Sequence, residues 1–315
     1  MALAIVGFIG GLVALYFGAE WLVSGASSCA LRFGVAPLVV GLTVVAFGTS
    51  APELLVSLLA IREGNDGISV GNIIGSNIAN IALILGCAAM VRPIEVHEDA
   101  VKREYPIMFA ASALLVLLCQ DFVLQRYDGA IMLTGMAAFL GVSVWRGLKG
   151  DSEEIAEELE DIDPDTSSLP KDMGLIALGI VGLAIGAYFL VENAVFIAKQ
   201  FHIPDLVIGI TMVAIGTSLP ELATSVVAAY RGASDISVGN VIGSNVFNVL
   251  LVLGLVSTIV PIEVSEVAVR EDLWVMIAIS IIIWPLMRTG FSINRTEGFV
   301  LVLWYLVYTV YLFVR

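Results

Sequence analysis

Two glutamates, Glu53 and Glu221, lie inside strongly apolar segments of the chain, each at the end of the same short polar motif. The motif reads GTSAPE in its first copy and GTSLPE in its second. A carboxylate in the middle of an apolar helix costs roughly 2.5 to 3.5 kcal/mol of membrane insertion free energy. Because no Lys or Arg occupies an equivalent depth to neutralise either side chain, we interpret both glutamates as ion-binding residues.

Each motif also contains a proline, Pro52 or Pro220, directly before its glutamate. Proline lacks an N–H group and clashes with the carbonyl four residues earlier, so backbone carbonyls near Gly48 and Gly216 lose their helical partners. In a membrane, such carbonyls must be satisfied inside protein or in a polar cavity. Carbonyl, hydroxyl and carboxylate oxygens suit hard cations such as Na⁺ and Ca²⁺. No His or Cys lies nearby, which disfavours zinc, copper and nickel.

Hydroxyl and amide side chains accompany the glutamates at helical spacing. Ser50 lies three residues before Glu53, and Ser76 lies four residues before Asn80 in the next apolar segment, so each pair shares a helix face. With two carboxylates, the formal charge of such a site is −2, which suits one divalent ion or two to three monovalent ions. The polar residues expected to converge near the membrane midplane are Thr49, Ser50, Ser76, Asn80, Thr217, Ser218, Ser244 and Asn248. Four further amides fit either a scaffold or a ligand role: Asn72, Asn77, Asn240 and Asn245.

Both motifs belong to a long internal repeat. Residues 18–96 recur without a gap 168 positions later as residues 186–264, and about half of the 79 aligned positions are identical. Four glycines at GxxxG spacing within the repeat predict close helix packing: Gly71, Gly75, Gly239 and Gly243.

The composition indicates an all-α integral membrane protein. Hydrophobic residues make up 59% of the 315 residues, charged residues make up 14%, and the mean hydropathy is +0.97. Apolar runs that could cross about 30 Å of hydrocarbon predict ten transmembrane helices, five in each copy, at residues 3–31, 37–61, 69–91, 104–120, 128–146, 173–198, 205–229, 237–260, 273–288 and 297–314. An odd number of helices in each copy implies that the two repeats have inverted topology.

The predicted organisation is a first five-helix repeat over residues 1–146, a linker over residues 147–172, and a second five-helix repeat over residues 173–315, all in one transmembrane domain. The linker holds ten of the 29 acidic residues and is interpreted as a solvated tether, because it lacks the ligand order of a calcium-binding EF-hand loop. Nothing in the composition supports nucleic-acid binding or a cofactor.

The distribution of basic residues predicts the orientation. With the N-terminus outside, ten of the 15 Lys and Arg residues fall on the cytoplasmic side, which the positive-inside rule favours. The C-terminus is then also outside, and the acidic linker is cytoplasmic. We therefore expect a multi-pass protein of the cell membrane, either a plasma membrane or a bacterial inner membrane.

The motif pairs GTSAPE with GSNIAN and GTSLPE with GSNVFN closely resemble the paired alpha-repeats of the sodium/calcium exchanger family, in its prokaryotic type, within the cation/calcium antiporter superfamily. The resemblance implies that four residues form a central diamond of ligands: Glu53, Asn80, Glu221 and Asn248. It further implies that the hydroxyl residues named above and the backbone carbonyls of Ala46 and Ala214 complete the Na⁺ and Ca²⁺ sites. The best-understood members of the family carry Asp where this chain has Asn248, which leaves the number of ions per cycle open.

The resemblance implies a secondary antiporter that uses an inward Na⁺ gradient to extrude Ca²⁺ from the cytoplasm by alternating access, with the first helix of each half sliding against the rest. The alternative in the same fold is an H⁺/Ca²⁺ antiporter whose two glutamates bind protons. A passive cation channel is less consistent with an inverted repeat. An intramembrane enzyme is disfavoured because His97 and His202, the two histidines, lie at loop edges, so we expect no catalytic activity.

Overall fold

The apolar segments of the chain form long helices in the computed structural model, which describes residues 2–62, 64–147, 168–200 and 214–314. The helices of the first half are α1 (Ala2–Phe33), α2 (Pro37–Thr49), α3 (Ala51–Arg62), α4 (Asp66–Val91), α5 (Tyr105–Leu118) and α6 (Arg126–Gly147). Those of the second half are α7 (Leu169–Gln200), α8 (Ala214–Thr217), α9 (Leu219–Tyr230), α10 (Ser234–Ile259), α11 (Leu273–Arg288) and α12 (Arg295–Val314). Most of the predicted linker, and residues 205–213 of one predicted span, lie outside the described residues.

Length and apolar composition support a membrane fold. In the described part of the chain, five helices are long and apolar enough by themselves to cross a bilayer, namely α1, α4, α6, α7 and α10, and the bent pair α2 and α3 counts as a sixth. Within their most apolar stretches, 78% of the residues of α4 and α10 are buried, against 28% for α1 and α7. Helices α4 and α10 therefore form the centre of the molecule, and α1 and α7 lie at its side.

Both copies of the proline motif interrupt a helix. The axes of α2 and α3 differ in direction by 41°, and the break lies at Ser50, whose φ and ψ are −82° and 4°. Ser218 separates α8 from α9 with nearly the same angles, −87° and 5°. The prolines lie in the first turn of the second half-helix, where a missing N–H costs no helical bond. The predicted helix breaks are thus present two residues before each proline.

Several helices contain wider π-helical turns, which the sequence analysis did not predict. Such turns cover Asn80–Ile84 in α4 and Phe247–Leu253 in α10, and Ala100–Glu104 and Ala268–Asp272 lead into α5 and α11. π-turns are rare and frequently found at functional sites. Asn80 lies in the π-turn of α4, and Asn248 lies in the π-turn of α10.

Two pairs of short strands connect the halves and are an addition to the predicted all-α architecture. Strand β1 (Ile94–Glu95) pairs antiparallel with β4 (Ser292–Ile293), and β2 (Val123–Leu124) pairs with β3 (Ile262–Glu263). The strands β1 and β3 each follow a proline, and the residue before each proline has an extended backbone, as the proline ring requires. This local constraint turns the chain out of α4 and α10 and into the strands.

Glycines allow α1 and α7 to pack with their backbones in close contact. A Cβ atom at Gly18 would lie 2.7 Å from the backbone nitrogen of Leu183, and one at Gly179 would lie 2.7 Å from that of Leu22. The two helices thus meet through small residues, a common arrangement in membranes. An ion pair between Arg32 Nε and Asp172 Oδ2, 3.1 Å apart, also joins them.

The predicted packing role of the repeated GxxxG glycines is seen in the second copy. A Cβ at Gly239 would lie 2.6 Å from the carbonyl oxygen of Leu38, and one at Gly243 would lie 2.6 Å from that of Leu42, so α10 packs closely on α2. The equivalent Gly71 and Gly75 have no described atom within 4 Å of the added Cβ. The part of the second half that corresponds to the partner of these two glycines falls largely in residues 201–213, outside the described ranges.

The close approach of α1 and α7 predicts opposite effects at two glycines of the same helix. We expect Gly18→Ala to lower the free energy of unfolding by about 1 to 3 kcal/mol, because the added methyl group overlaps the backbone of α7. Gly10 has no atom of another described element within 4 Å of its Cβ position, so Gly10→Ala is the matched control and is expected to raise stability by up to about 1 kcal/mol through helix propensity. Denaturant unfolding in detergent measures both, and equal stability of the two variants would contradict the packing described.

Candidate ion-binding site

The structure brings the two predicted glutamates into one buried polar cluster. Both Glu53, in α3, and Glu221, in α9, have no exposed surface. Ser50 Oγ donates a hydrogen bond to Glu221 Oε1 over 3.2 Å, and Ser218 Oγ donates to Glu53 Oε1 over 3.5 Å. Each carboxylate is therefore bound by the helix break of the opposite half, so the site exists only when both halves are assembled.

Hydroxyl groups of the central helices complete this cluster. Ser76 Oγ, from α4, lies 3.5 Å from Glu53 Oε1 and 3.1 Å from Ser218 Oγ. On the other side, Ser244 Oγ, from α10, lies 3.4 Å from Thr49 Oγ1. Among the described residues, no ion pair reaches either carboxylate, so the negative charge of the cluster is not compensated by Lys or Arg.

Four buried oxygen atoms at the centre have no hydrogen-bond partner: Glu53 Oε2, Glu221 Oε2, Asn80 Oδ1 and Asn248 Oδ1. All four are acceptors, and they belong to the four residues that the family resemblance places in its diamond. Leaving a buried polar atom unpaired costs about 1 to 3 kcal/mol, and more when it is charged. Oxygen acceptors without donors suit a cation such as Na⁺ or Ca²⁺, which prefers carboxylate and amide oxygens.

The two central amides are oriented by bonds between the halves. Asn80 Nδ2 donates to Asn245 Oδ1 over 3.4 Å, and Asn248 Nδ2 donates to Asn77 Oδ1 over 3.1 Å. Because the N–H groups are used in this way, the carbonyl oxygens of Asn80 and Asn248 remain for an ion. Asn77 and Asn245, for which the sequence left both roles open, act here as supports.

Asn240 holds the broken helix of the second half in place. Its Nδ2 donates to the backbone carbonyl of Glu221 over 3.3 Å and to Ser225 Oγ over 2.9 Å. Its Oδ1 accepts a hydrogen bond of 3.0 Å from Thr49 Oγ1. The amide thus links α9 to α10 and also reaches the helix break of the first half.

Asn72 makes the equivalent bonds in the first half. Its Nδ2 lies 3.4 Å from the carbonyl oxygen of Glu53 and 3.3 Å from Ser57 Oγ, and its Oδ1 accepts a bond of 3.3 Å from Thr217 Oγ1. The sequence analysis did not single out the buried serines that receive these bonds, Ser57 and Ser225. Their recurrence four residues after the glutamate in both copies was the signal that could have identified them.

One predicted backbone ligand, the carbonyl of Ala46, already accepts a helical hydrogen bond from Ser50 N over 3.0 Å. The Thr49 hydroxyl lies 3.3 Å from the same carbonyl oxygen and 3.0 Å from Asn240 Oδ1. Because this hydroxyl has one proton, it donates to only one of them at a time, and donation to Asn240 leaves a lone pair of the Ala46 carbonyl for an ion. Ala214 occupies the equivalent position as the first residue of α8.

A cavity of about 520 Å³ lies beside the site, between α7 and the two broken helices. Pro52, Pro220 and Thr217 line one wall, and Glu192 of α7 lines the other. Thr217 is the one hydroxyl residue of the site among the residues described as lining this cavity. Three other glutamates of the repeat region do not take part in the site: Glu20 pairs with Arg231, and the side chains of Glu95 and Glu263 are exposed.

Comparisons with known proteins identify the family and the fold. The profile of the family described as sodium/calcium exchanger protein matches residues 3–145 and 171–314. The sodium/calcium exchanger MaX1 of Methanosarcina acetivorans is 37% identical over 343 residues, covering 96% of each chain. The inner membrane protein YrbG of Escherichia coli is 38% identical over 311 residues, covering 95% of each chain. The structure of the sodium-calcium exchanger NCX_Mj, soaked with zero Na⁺ and Ca²⁺, superposes with a TM-score of 0.85 at 32% identity and covers 99% of both chains.

Proposed function

Because the chain belongs to the sodium/calcium exchanger protein family, we propose that it is a secondary antiporter that exchanges Na⁺ for Ca²⁺ and extrudes Ca²⁺ from the cytoplasm. The observation that carries this proposal is that Glu53, Glu221, Asn80 and Asn248 are all buried and that each has a side-chain oxygen without a hydrogen-bond partner. Carboxylate and amide oxygens without donors favour a hard cation over any neutral substrate.

The charge of the site explains how the movement of Na⁺ is coupled to the movement of Ca²⁺. Two buried carboxylates attract either one Ca²⁺ or several Na⁺ ions to overlapping ligands, so the two ions compete. An empty or half-filled site leaves uncompensated charge in a low-dielectric interior, where it is strongly unfavourable. The transition between the two faces of the membrane therefore requires a bound ion, and this requirement makes transport an exchange. Serine, threonine and backbone oxygens, including those of Ala46 and Ala214, supply the further ligands.

We further propose ten transmembrane helices in two inverted repeats of five, with both termini outside and the acidic linker on the cytoplasmic side of the cell membrane. The cross-half bonds of the site support an approximate two-fold relation between the halves, because equivalent pairs of residues meet across one centre, and an odd number of helices in each copy makes this relation an inverted one. Ser50 with Glu221 and Ser218 with Glu53 are such reciprocal pairs.

Alternating access is proposed to occur by movement of α1 and α7 against the remaining helices. These two helices are the less buried ones and pack on each other through glycines. The cavity beside the site has α7 as one wall, so a displacement of α7 would open or close it. The ion pair of Glu20 in α1 with Arg231 at the end of α9 then holds the moving pair in the conformation described.

An H⁺/Ca²⁺ antiporter is the second candidate, and the number of carboxylates favours it. Two of the four residues of the diamond, Glu53 and Glu221, can bind a proton, whereas Asn80 and Asn248 are amides and cannot. Two protons on these carboxylates would balance one Ca²⁺ without any Na⁺.

Isotope flux into vesicles with imposed gradients distinguishes these functions. We expect an outward Na⁺ gradient to drive uptake of radioactive Ca²⁺ into vesicles that contain the purified protein, and we expect a pH gradient without Na⁺ to drive none. Uptake that follows the pH gradient and ignores Na⁺ would establish the H⁺/Ca²⁺ antiporter instead. Ca²⁺ flux that needs no counter-ion, with single-channel currents far above carrier rates, would indicate a passive cation channel.

A further inference from the structure

A second cavity, of about 470 Å³, lies between α5 and α11 and is separate from the ion site. Its volume is in the range of small-molecule binding sites, roughly 300 to 1,000 Å³. Most of its lining is apolar or aromatic, and two basic side chains, Lys102 and Arg288, also line it. A cavity of this composition suits a ligand with a long apolar part and an anionic group.

Helical spacing explains how the lining is formed. Ile281, Trp284 and Arg288 are three and four residues apart, so they share one face of α11. Lys102, in the turn that leads into α5, and Pro106, in the first turn of α5, face them. Just beside this face, the Tyr105 hydroxyl donates a hydrogen bond to the carbonyl of Ser280 and fixes α5 against α11. The walls of the cavity are therefore held in position by the fold.

The charged side chains at the cavity carry a net positive charge. The Arg288 guanidinium carbon lies 5.4 Å from the centre of the Trp284 ring, a cation–π distance. Lys102 forms an ion pair with Glu98, and its hydrogen bond and charge lower the pKa of Glu98, so this carboxylate is counted as ionised. Two cations and one anion leave a charge of +1, which complements a single phosphodiester group.

The repeat-related surface has only one of the two basic residues. The residues 168 positions before Trp284 and Arg288 are Val116 and Gln120. The equivalent of Lys102 is Arg270, which pairs with Glu266 in the same way over 2.8 Å, and the equivalent of Pro106 is Trp274. The pair of basic side chains is therefore a property of one side of the molecule and is not a by-product of the repeat.

We propose that this cavity binds one anionic phospholipid, with its phosphate at Lys102 and Arg288 and an acyl chain along Phe109 and Trp284. Basic pockets between transmembrane helices attract anionic head groups, and aromatic side chains favour the level of the head groups. The lipid would contact one helix of each half and so would stabilise their packing. This site is independent of the transported ions.

Native mass spectrometry of the purified protein tests the proposal. We expect one phosphatidylglycerol to bind roughly tenfold more tightly than phosphatidylcholine, given two basic side chains partly offset by Glu98. The double variant Lys102→Gln and Arg288→Gln, which removes both charges but keeps polar side chains, should lose this preference. The matched control, Arg270→Gln, should keep it.

Equal binding of the two lipids by the parent protein would overturn the proposal, as would an unchanged preference in the double variant. Thermal unfolding of each variant in detergent checks that all are folded. In the parent protein, phosphatidylglycerol should raise the unfolding temperature more than phosphatidylcholine does, and this difference should disappear in the double variant only.

Discussion

Glu221→Gln and Glu53→Gln are each expected to reduce Na⁺-driven Ca²⁺ uptake by about 30-fold or more, because removing one buried charged ligand costs about 2 to 5 kcal/mol. Glutamine keeps the shape and one oxygen of the side chain but removes one of the two charges that balance Ca²⁺. The protein should remain folded, since replacing a buried charge by a neutral group of the same shape need not destabilise.

The repeat supplies a matched control for these two variants. Glu95 and Glu263 are also equivalent glutamates, 168 residues apart, but their side chains are exposed at the strands β1 and β3. Glu95→Gln and Glu263→Gln should therefore leave uptake nearly unchanged. If either Glu53→Gln or Glu221→Gln transports at close to the parent rate, the ion site has been assigned to the wrong residues.

Asn248→Asp is expected to change the dependence of exchange on Na⁺ or on pH. A third charge about 4 Å from a bound cation changes its binding free energy by roughly 4 kcal/mol before desolvation, so we expect the half-maximal Na⁺ concentration to shift by about tenfold or more. The new carboxylate would also face Asn77 Oδ1, which now accepts the Asn248 N–H over 3.1 Å. Unless the Asn77 amide turns over, the carboxyl must bind a proton to keep this bond, and exchange then becomes sensitive to pH.

Ca²⁺ uptake at a series of Na⁺ concentrations and pH values measures both effects. Asn65→Asp adds the same charge at an exposed position and is expected to leave the curves unchanged. If the Na⁺ and pH curves of Asn248→Asp coincide with those of the parent protein, position 248 lies outside the ion site.

The sequence predicted the broken helices and the residues near the site because these features depend on local chemistry. Proline interrupts a helix in any setting, and a glutamate in an apolar segment requires compensation. The position of the break at Ser50 and Ser218 was less predictable. Proline is tolerated in the first turn of a helix, so the interruption moves to the residues before it.

The bonds between the halves could not be read from the sequence, because they depend on how the two copies pack. Thr49 reaches Asn240 across 191 positions, and Ser50 reaches Glu221 across 171. The repeat shows that two equivalent surfaces exist but not which residues of one meet which of the other. Hydrophobic periodicity likewise does not distinguish a π-turn at Asn80 or Asn248 from ordinary helix.

Family membership and a membrane-spanning helical fold now rest on both the repeat and the comparisons. The division into residues 1–146, 147–172 and 173–315, the orientation, and the assignment of individual ligands remain predictions. Among the predicted ligands, the four residues of the diamond have the strongest structural support, because each has a buried side-chain oxygen without a hydrogen-bond partner. The carbonyl of Ala46 has weaker support, because it already accepts a helical hydrogen bond from Ser50 N.

Equilibrium binding of radioactive Ca²⁺ to the purified protein tests most directly whether Na⁺ and Ca²⁺ share one site between Glu53 and Glu221. We predict one Ca²⁺ bound per chain, displaced by Na⁺ and absent in the double variant Glu53→Gln and Glu221→Gln, with Glu95→Gln and Glu263→Gln as the folded control. Ca²⁺ binding that persists in the double variant, or that Na⁺ does not displace, would contradict a shared site at these two carboxylates.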